Sequence, residues 1–135
     1  MSRIILLCAV LVGGCTDDDV QPELDPTGNW NVTYAFAASC GNPATTTTGT
    51  FTVTLDAQGY DIIVVGVSST GSMLCTSEQC KLSGTFAWMT GDATYQQSMN
   101  LVLDAEMKVG GNGTETVITT ESTCTYPFTV TGSKT

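Results

Sequence analysis

The chain has 135 residues, and its 13 acidic and 4 basic residues give a formal net charge of −9. This length favours one domain, and the charge balance argues against nucleic acid, because phosphate binding needs clustered Lys and Arg. The chain contains no His, which removes Ser-His-Asp and Cys-His catalytic arrangements and most zinc sites. Composition therefore disfavours an enzyme, and we expect no metal site and no dissociable cofactor.

The first fifteen residues are typical of an export signal. Arg3 supplies a positive charge, and residues 4–12 form an unbroken apolar run. Nine residues are too few to span a bilayer, which needs about 20, but they suit the apolar region of a secretory signal.

The segment that follows, Leu11-Val12-Gly13-Gly14-Cys15, resembles the lipobox of bacterial lipoproteins. The resemblance implies that residues 1–14 are removed and that Cys15 carries a diacylglyceryl thioether and an N-acyl chain, which together anchor firmly. In enterobacterial members an Asp after the lipidated Cys marks inner-membrane retention, and Thr16 at that place favours the outer membrane. The alternatives are an ordinary secretory signal and a buried segment that does not contact a membrane.

Residues 15–27 are predicted to be the lipidated Cys and an acidic, disordered tether. Removal of residues 1–14 leaves 121 residues and, with the loss of Arg3, a formal charge of −10. Such a body is repelled by anionic head groups, so we expect the lipid to hold it at the membrane. Residues 17–19 are all Asp, but they lack the ligand spacing of a calcium loop.

Residues 28–135 are predicted to form a single all-β domain, because Thr, Val, Tyr and Phe alternate with period two along most of this segment. Turns are expected at residues 68–72 and 110–113, and a strand covered on both faces at residues 60–67. About eight short strands in hairpin order predict an antiparallel up-and-down barrel, with a β-sandwich as the alternative.

Six aromatic residues are expected to face the interior, where they either line a ligand cavity or fill the core. They are Trp30, Tyr34, Phe36, Phe86, Trp88 and Phe128. Gly28-Asn29-Trp30 resembles the Gly-x-Trp motif of lipocalin-type barrels, which implies that Trp30 plugs the closed end.

Four cysteines remain besides Cys8 and Cys15, and in an exported protein an even number predicts disulfides rather than an all-cysteine zinc site. Three connectivities are open. Four residues separate Cys75 from Cys80, which suits a hairpin, and this pairing leaves Cys40 with Cys124.

Closure of an eight-stranded meander requires its first and last strands to pair. If Cys40 opposes Cys124, then Phe36 meets Phe128 and Tyr34 meets Val130, so that apolar residues face each other within disulfide reach. Pro127 argues against this pairing of the first and last strands, because Pro marks a bulge or an edge strand.

These patterns predict a lipid-anchored, non-catalytic binding module of the bacterial cell envelope, a monomer that holds a small apolar ligand or an envelope protein. The alternative is a structural or protein-interaction lipoprotein with a filled core, for example a hydrolase inhibitor that displays the Cys75–Cys80 loop. The acidic residues of the body, Glu115 among them, are expected mostly at turns and outward positions, and Asp61, between Tyr60 and Ile62, is the most unusual.

Overall fold

A computed structural model describes residues 22–57, 59–63 and 68–135 of the chain. The predicted signal peptide, Cys8, Cys15 and the residues 17–19 lie outside the described residues. Eight strands follow in chain order: β1 (Gly28–Phe36), β2 (Thr45–Asp56), β3 (Gly59–Ile63), β4 (Ser68–Cys75), β5 (Gln79–Thr90), β6 (Ala93–Asp104), β7 (Lys108–Ile118) and β8 (Thr123–Lys134). The described part of the chain contains no helix.

The strands form one antiparallel sheet in the order β3-β2-β1-β8-β7-β6-β5-β4. The first and last strands of the chain are therefore neighbours inside the sheet. The sheet curls until its two edges, β3 and β4, approach each other, although no hydrogen-bonded ladder joins them in the described residues. The predicted eight-stranded up-and-down barrel is confirmed as a nearly closed barrel, and a β-sandwich does not form.

The seam between β1 and β8 has the predicted register. Phe36 lies opposite Phe128, and Tyr34 lies opposite Val130. This register places apolar side chains of both strands on the inner face, because successive side chains of a strand point to opposite faces.

Pro127 does not make β8 an edge strand. The N–H and C=O of one strand residue point toward the same neighbouring strand. The carbonyl of Pro127 accepts a hydrogen bond of 2.9 Å from the amide of Ala37, so its missing N–H also faces β1, just beyond the last paired residue, Phe36. The proline therefore removes a donor only where that ladder has already ended.

Both predicted disulfides are present, Cys40–Cys124 and Cys75–Cys80. The prediction that Cys40 opposes Cys124 treats Cys40 as a continuation of β1, but in the structure Cys40 lies outside this strand. It lies in a tight turn between Ser39 and Asn42, where Cys40 has a φ of 51° and Gly41 a φ of 80°. Positive φ at two successive residues is the mark of a turn that reverses the chain, so the disulfide ties this turn, rather than a strand, to β8.

The end of the barrel that contains Trp30, here called the Trp30 end, is filled. Its buried side chains come from all eight strands and include Trp30, Val32, Phe51, Val53, Ile62, Met73, Leu82, Leu101, Leu103, Val109 and Val130. Residues assigned by sequence to the tether also pack there. The Trp30 indole Nε1 donates to the carbonyl of buried Pro26 at 2.8 Å, and the Leu24 amide donates to Thr76.

Three local predictions differ from the structure. Residues 68–72 belong to β4 rather than to a turn, and residues 110–113 lie inside β7, whereas the hairpin turn is at residues 105–107. The strand expected at residues 60–67 is β3, Gly59–Ile63, on which Ile63 is exposed, and residues 64–67 lie outside the described part of the chain.

Gly113 of β7 and Gly132 of β8 lie where a neighbouring strand approaches too closely for a side chain. A Cβ on Gly113 would lie 2.7 Å from Cζ of Phe128, and a Cβ on Gly132 would lie 2.8 Å from Cα of Val32 and would also overlap the Asn31 carbonyl. Such contacts are below van der Waals distance, so these positions need glycine even though they lie in strands.

We expect Gly132→Ala to lower the free energy of unfolding by about 1–3 kcal/mol, because the backbone of β1 or β8 must shift to admit the methyl group. Gly110→Ala is the matched control, since its Cβ would meet nothing closer than the Val130 carbonyl at 3.9 Å. Urea denaturation of both variants measures the difference. Equal losses of stability in the two variants would contradict the close approach at Gly132.

Candidate functional site

A cleft of about 420 Å³ occupies the end of the barrel opposite Trp30. We call it the mouth cleft. It is lined by residues of β1, β2, β5, β6 and β7, namely Tyr34, Phe36, Thr47, Thr48, Gly49, Thr50, Phe86, Trp88, Gln97, Met99 and Glu115. Its volume lies within the range of small-molecule sites, and its mixture of aromatic walls with a few polar groups is typical of them.

Four of the six aromatic residues selected from the sequence line the mouth cleft. Tyr34 and Phe36 are contributed by β1, and Phe86 and Trp88 by β5. The Trp88 indole stacks on the ring of Tyr95, its cross-strand partner, with ring centroids 5.2 Å apart and planes 3° from parallel. The wall formed by β5 therefore has a fixed aromatic surface rather than a mobile one.

The other two aromatic residues are core residues. Trp30 is fully buried at the Trp30 end, and Phe128 is buried behind the aromatic wall of β1. The Phe128 ring contacts Tyr34 edge-on at 5.5 Å and Phe36 at 5.2 Å between centroids. Phe128 thus holds two rings of the cleft in place without lining it.

The cleft exists because small residues occupy inward positions at this end of the barrel. Gly49 lies beside Tyr34, where an added Cβ would come within 3.2 Å of the ring, and Thr47 is the register partner of Tyr34 on β2. On β7, Gly113 gives the Phe128 ring the space of a side chain. Replacing Thr47 or Gly49 by a large residue would fill volume that the structure leaves open, whereas the space beside Gly113 is occupied by the Phe128 ring.

A hydrogen-bonded polar pair lies among the aromatic walls. Gln97 of β6 and Glu115 of β7 are direct cross-strand partners, and the Gln97 amide Nε2 donates to the Glu115 carboxylate Oε2 at 2.8 Å. Gln97 is only 8% exposed. Buried polar groups at the mouth of a cavity fix the orientation of what binds there.

Neither member of this pair was selected as a site residue from the sequence. The sequence predicts acidic residues mostly at turns or outward positions, and half-buried Glu115 in the cleft is an exception. A parity signal did exist. Gln97 is in phase with Met99, Leu101 and Leu103, and a polar residue in phase with a core face is a candidate interior group. Asp61, in contrast, is exposed on β3 and does not line the mouth cleft.

The rim of the cleft is held by the turn around Cys40. Residues 39–42 are tied to β8 by three interactions. They are the disulfide to Cys124, a hydrogen bond of 2.7 Å from Ser39 Oγ to the Thr125 carbonyl, and one of 2.7 Å from the Asn42 side-chain amide Nδ2 to Tyr126 Oη. A second cleft, of about 430 Å³, lies between this connection and the barrel and meets the mouth cleft at Phe36 and Glu115.

The mouth cleft also extends to the side of the barrel. β3 pairs only with residues 52–56 of β2, so the first half of β2, from Thr45 to Phe51, has β1 as its single strand partner in the described residues. Thr48 and Thr50, in this half of β2, line the cleft. On this side the cleft is therefore lined by alternate residues of both faces of β2, not only by inward-facing ones.

Within residues 22–57, 59–63 and 68–135, no group of three or more Cys, Asp or Glu side chains is placed to hold a metal ion. In the same residues, none of the secondary structure is a helix of the length and hydrophobicity needed to cross a bilayer. Comparison with known protein families, curated proteins and solved structures finds no significant match to this chain.

The pKa of Tyr34 is raised above its ordinary value by burial and, to a smaller extent, by the negative charge of Glu115. The folded state therefore binds the phenolic proton more strongly than the unfolded chain does, in which this group titrates near about pH 10. The resulting stability is fully present below about pH 10 and is lost as the pH rises through the folded-state pKa.

We expect the free energy of unfolding to fall less steeply above about pH 10 in Tyr34→Phe than in the wild type, because the variant lacks the ionising group. Denaturation at a series of alkaline pH values measures this slope. An absorbance titration of Glu115→Gln provides the control, since loss of the carboxylate should move the pKa of Tyr34 back toward its ordinary value. An unchanged titration would show that Glu115 does not act on Tyr34.

Proposed function

We propose that this protein is a lipid-anchored lipoprotein of the bacterial cell envelope whose barrel is a non-catalytic binding module for a small, largely apolar ligand. The observation that carries the proposal is the mouth cleft itself, a volume of about 420 Å³ with aromatic walls at one end of a barrel whose other end is filled. The lining supports the proposal, because four aromatic side chains and a few polar groups around one opening are the usual composition of a small-molecule site.

A non-catalytic role is supported by the chemistry of the lining residues. Glu115 is the only carboxylate among the described residues that line the mouth cleft, whereas acid–base catalysis by carboxylates alone uses two. The four cysteines of the barrel are paired in disulfides, so none of them is available as a thiolate nucleophile.

The membrane anchor and the location rest on the sequence. The lipobox-like segment ending at Cys15 supports lipidation, Thr16 supports the outer membrane, and the acidic body supports attachment by lipid rather than by surface charge. We propose a monomer that binds neither nucleic acid nor a metal ion and has no cofactor other than the lipid on Cys15.

A second candidate is a protein-interaction lipoprotein, for example one that inhibits a basic hydrolase. It is favoured by the order of the β4–β5 turn at the filled Trp30 end. The Cys75–Cys80 disulfide closes this turn, the Thr76 amide donates to the Gln79 carbonyl at 2.8 Å, and the Thr76 hydroxyl accepts from the Glu78 amide at 3.2 Å. A turn fixed in this way loses little entropy when a partner binds.

The ligand proposal is tested with a neutral apolar probe, 2-(1-naphthyl)ethanol, and a variant that fills the cleft. Thr47 faces inward beside Tyr34, so we expect Thr47→Trp to weaken probe binding at least about tenfold, because the indole occupies the site. Isothermal titration calorimetry on the mature lipoprotein in nanodiscs, with empty nanodiscs as the blank, measures the affinity.

Thr46→Trp is the matched control. Thr46 immediately precedes Thr47 in β2 and does not line the mouth cleft. Its side chain points to the face of the sheet opposite to that of Thr47. It should leave probe binding unchanged. If the wild type binds no probe, or if both Trp variants weaken binding equally, the cleft is not the ligand site and the protein-interaction candidate takes its place.

The anchor is tested by Cys15→Ser, which we expect to move the protein from the membrane fraction to the soluble periplasmic fraction and to abolish incorporation of a labelled fatty acid. Cys8→Ser, inside the predicted signal peptide, is the control and should leave both readouts unchanged. Continued fatty-acid incorporation in Cys15→Ser would place the lipid on another residue and overturn the lipobox assignment.

A further inference from the structure

The carboxylate in the mouth cleft has no basic partner among the residues that the structure describes. The described part of the chain contains three basic residues, Lys81, Lys108 and Lys134, and none of them lines the cleft. The intervening residues 58 and 64–67 contain no Lys or Arg in the sequence. Among the described residues, the side-chain hydrogen-bond partner of the Glu115 carboxylate is therefore the Gln97 amide, which donates to the carboxylate oxygen Oε2.

Gln97 presents a second acceptor at the same place. Its Nε2 is used in the bond to Glu115, and no donor from the described residues reaches its carbonyl oxygen, Oε1. The side chain is 8% exposed and lines the mouth cleft. This carbonyl is therefore available to accept a hydrogen bond from a ligand, and the pair of side chains suits a ligand that carries hydrogen-bond donors.

The walls around this pair suit a positive charge. Tyr34, Phe86 and Trp88 line the same cleft as Glu115, and the negative face of an aromatic ring attracts a cation within about 6 Å of its centroid. An aromatic enclosure with one carboxylate attracts a cation through both the charge and the ring faces. An anion placed there would meet repulsion from Glu115 and from the acidic body as a whole.

We propose that the ligand of the mouth cleft is a cationic amphiphile, a primary or secondary amine on an apolar body. Its ammonium group donates hydrogen bonds to the Glu115 carboxylate and to Gln97 Oε1, and its apolar body lies between the aromatic walls. The proposal rests on the proposed function of the cleft as a ligand site and adds the chemical class of the ligand. Hydrogen bonds to ionised groups are roughly twice as strong as neutral ones, so the amine should bind more tightly than a neutral analogue of the same shape.

The test compares four probes with one apolar body: 2-(1-naphthyl)ethylamine, 2-(1-naphthyl)ethanol, 3-(1-naphthyl)propionate and the N,N,N-trimethyl derivative of the amine. We expect the amine to bind about tenfold or more tightly than the alcohol, and the propionate to bind least. The trimethyl derivative keeps the charge but has no N–H donor, so it should bind more weakly than the amine. Isothermal titration calorimetry on the mature lipoprotein in nanodiscs measures all four.

Glu115→Gln is expected to reduce the preference for the amine over the alcohol to about one, while the affinity for the alcohol changes little. Glu121→Gln is the matched control, because Glu121 is exposed in the β7–β8 turn and does not line the mouth cleft, so that it removes the same charge without touching the site. This control should keep the preference for the amine.

The outcomes separate the two proposals. Equal affinity for the amine and the alcohol in the wild type overturns the amine proposal and leaves the cleft as an apolar site. Retention of the amine preference in Glu115→Gln, or an equal loss in Glu121→Gln, overturns the assignment of the charge recognition to Glu115. Failure of all four probes to bind the wild type overturns the proposed function of the cleft.

Should Glu115→Gln fail to fold, the amine and its trimethyl derivative are compared in the wild type. Equal affinity of the two overturns the proposal that the ammonium group donates hydrogen bonds in the cleft.

Discussion

The pairing of the first strand with the last is the constraint on which the rest of this structure depends. β1 and β8 are separated by almost the whole barrel in sequence, yet they form the ladder that places Tyr34 opposite Val130 and Phe36 opposite Phe128. Closing so long a loop costs entropy, and the Cys40–Cys124 disulfide, with a sequence separation of 84, offsets this cost by about 4 kcal/mol in the chain-entropy model. The ladder curls the sheet, and the disulfide holds its rim at the mouth cleft.

The two ends of the barrel differ because of the volumes of the inward side chains. Toward the Trp30 end, large apolar residues of all eight strands meet, and the indole of Trp30 is fixed by its hydrogen bond to Pro26. Toward the other end, inward positions carry Thr47, Gly49 and Gly113, and the aromatic rings are left as walls around open space. The same alternation of inward and outward residues thus produces a filled core and a cleft within one sheet.

Polar groups within the cleft follow from the same register. Gln97 and Glu115 are cross-strand partners on the inner face, where both line the mouth cleft. Their hydrogen bond satisfies one atom of each side chain and leaves acceptor oxygens facing the cleft. The proposal of a cationic ligand depends on this carboxylate, which lines the same cleft as the aromatic rings while none of the described lysines does.

Sequence reasoning predicted the strand content and the Cys75–Cys80 disulfide, because period-two alternation and short cysteine spacing are local. It reached the seam register and the Cys40–Cys124 disulfide only with the further, non-local assumption that the first and last strands pair. It placed Gly110 to Gly113 in a turn and missed Glu115, because glycine serves both tight turns and close strand contacts, and an acidic residue gives no local sign of which face it occupies. Only the tertiary structure decided these points. The overlap of a Cβ at Gly113 with Phe128, and the meeting of Gln97 with Glu115, depend on atoms of different strands, whose relative positions are set by the registers of the β7–β8 and β6–β7 hairpins.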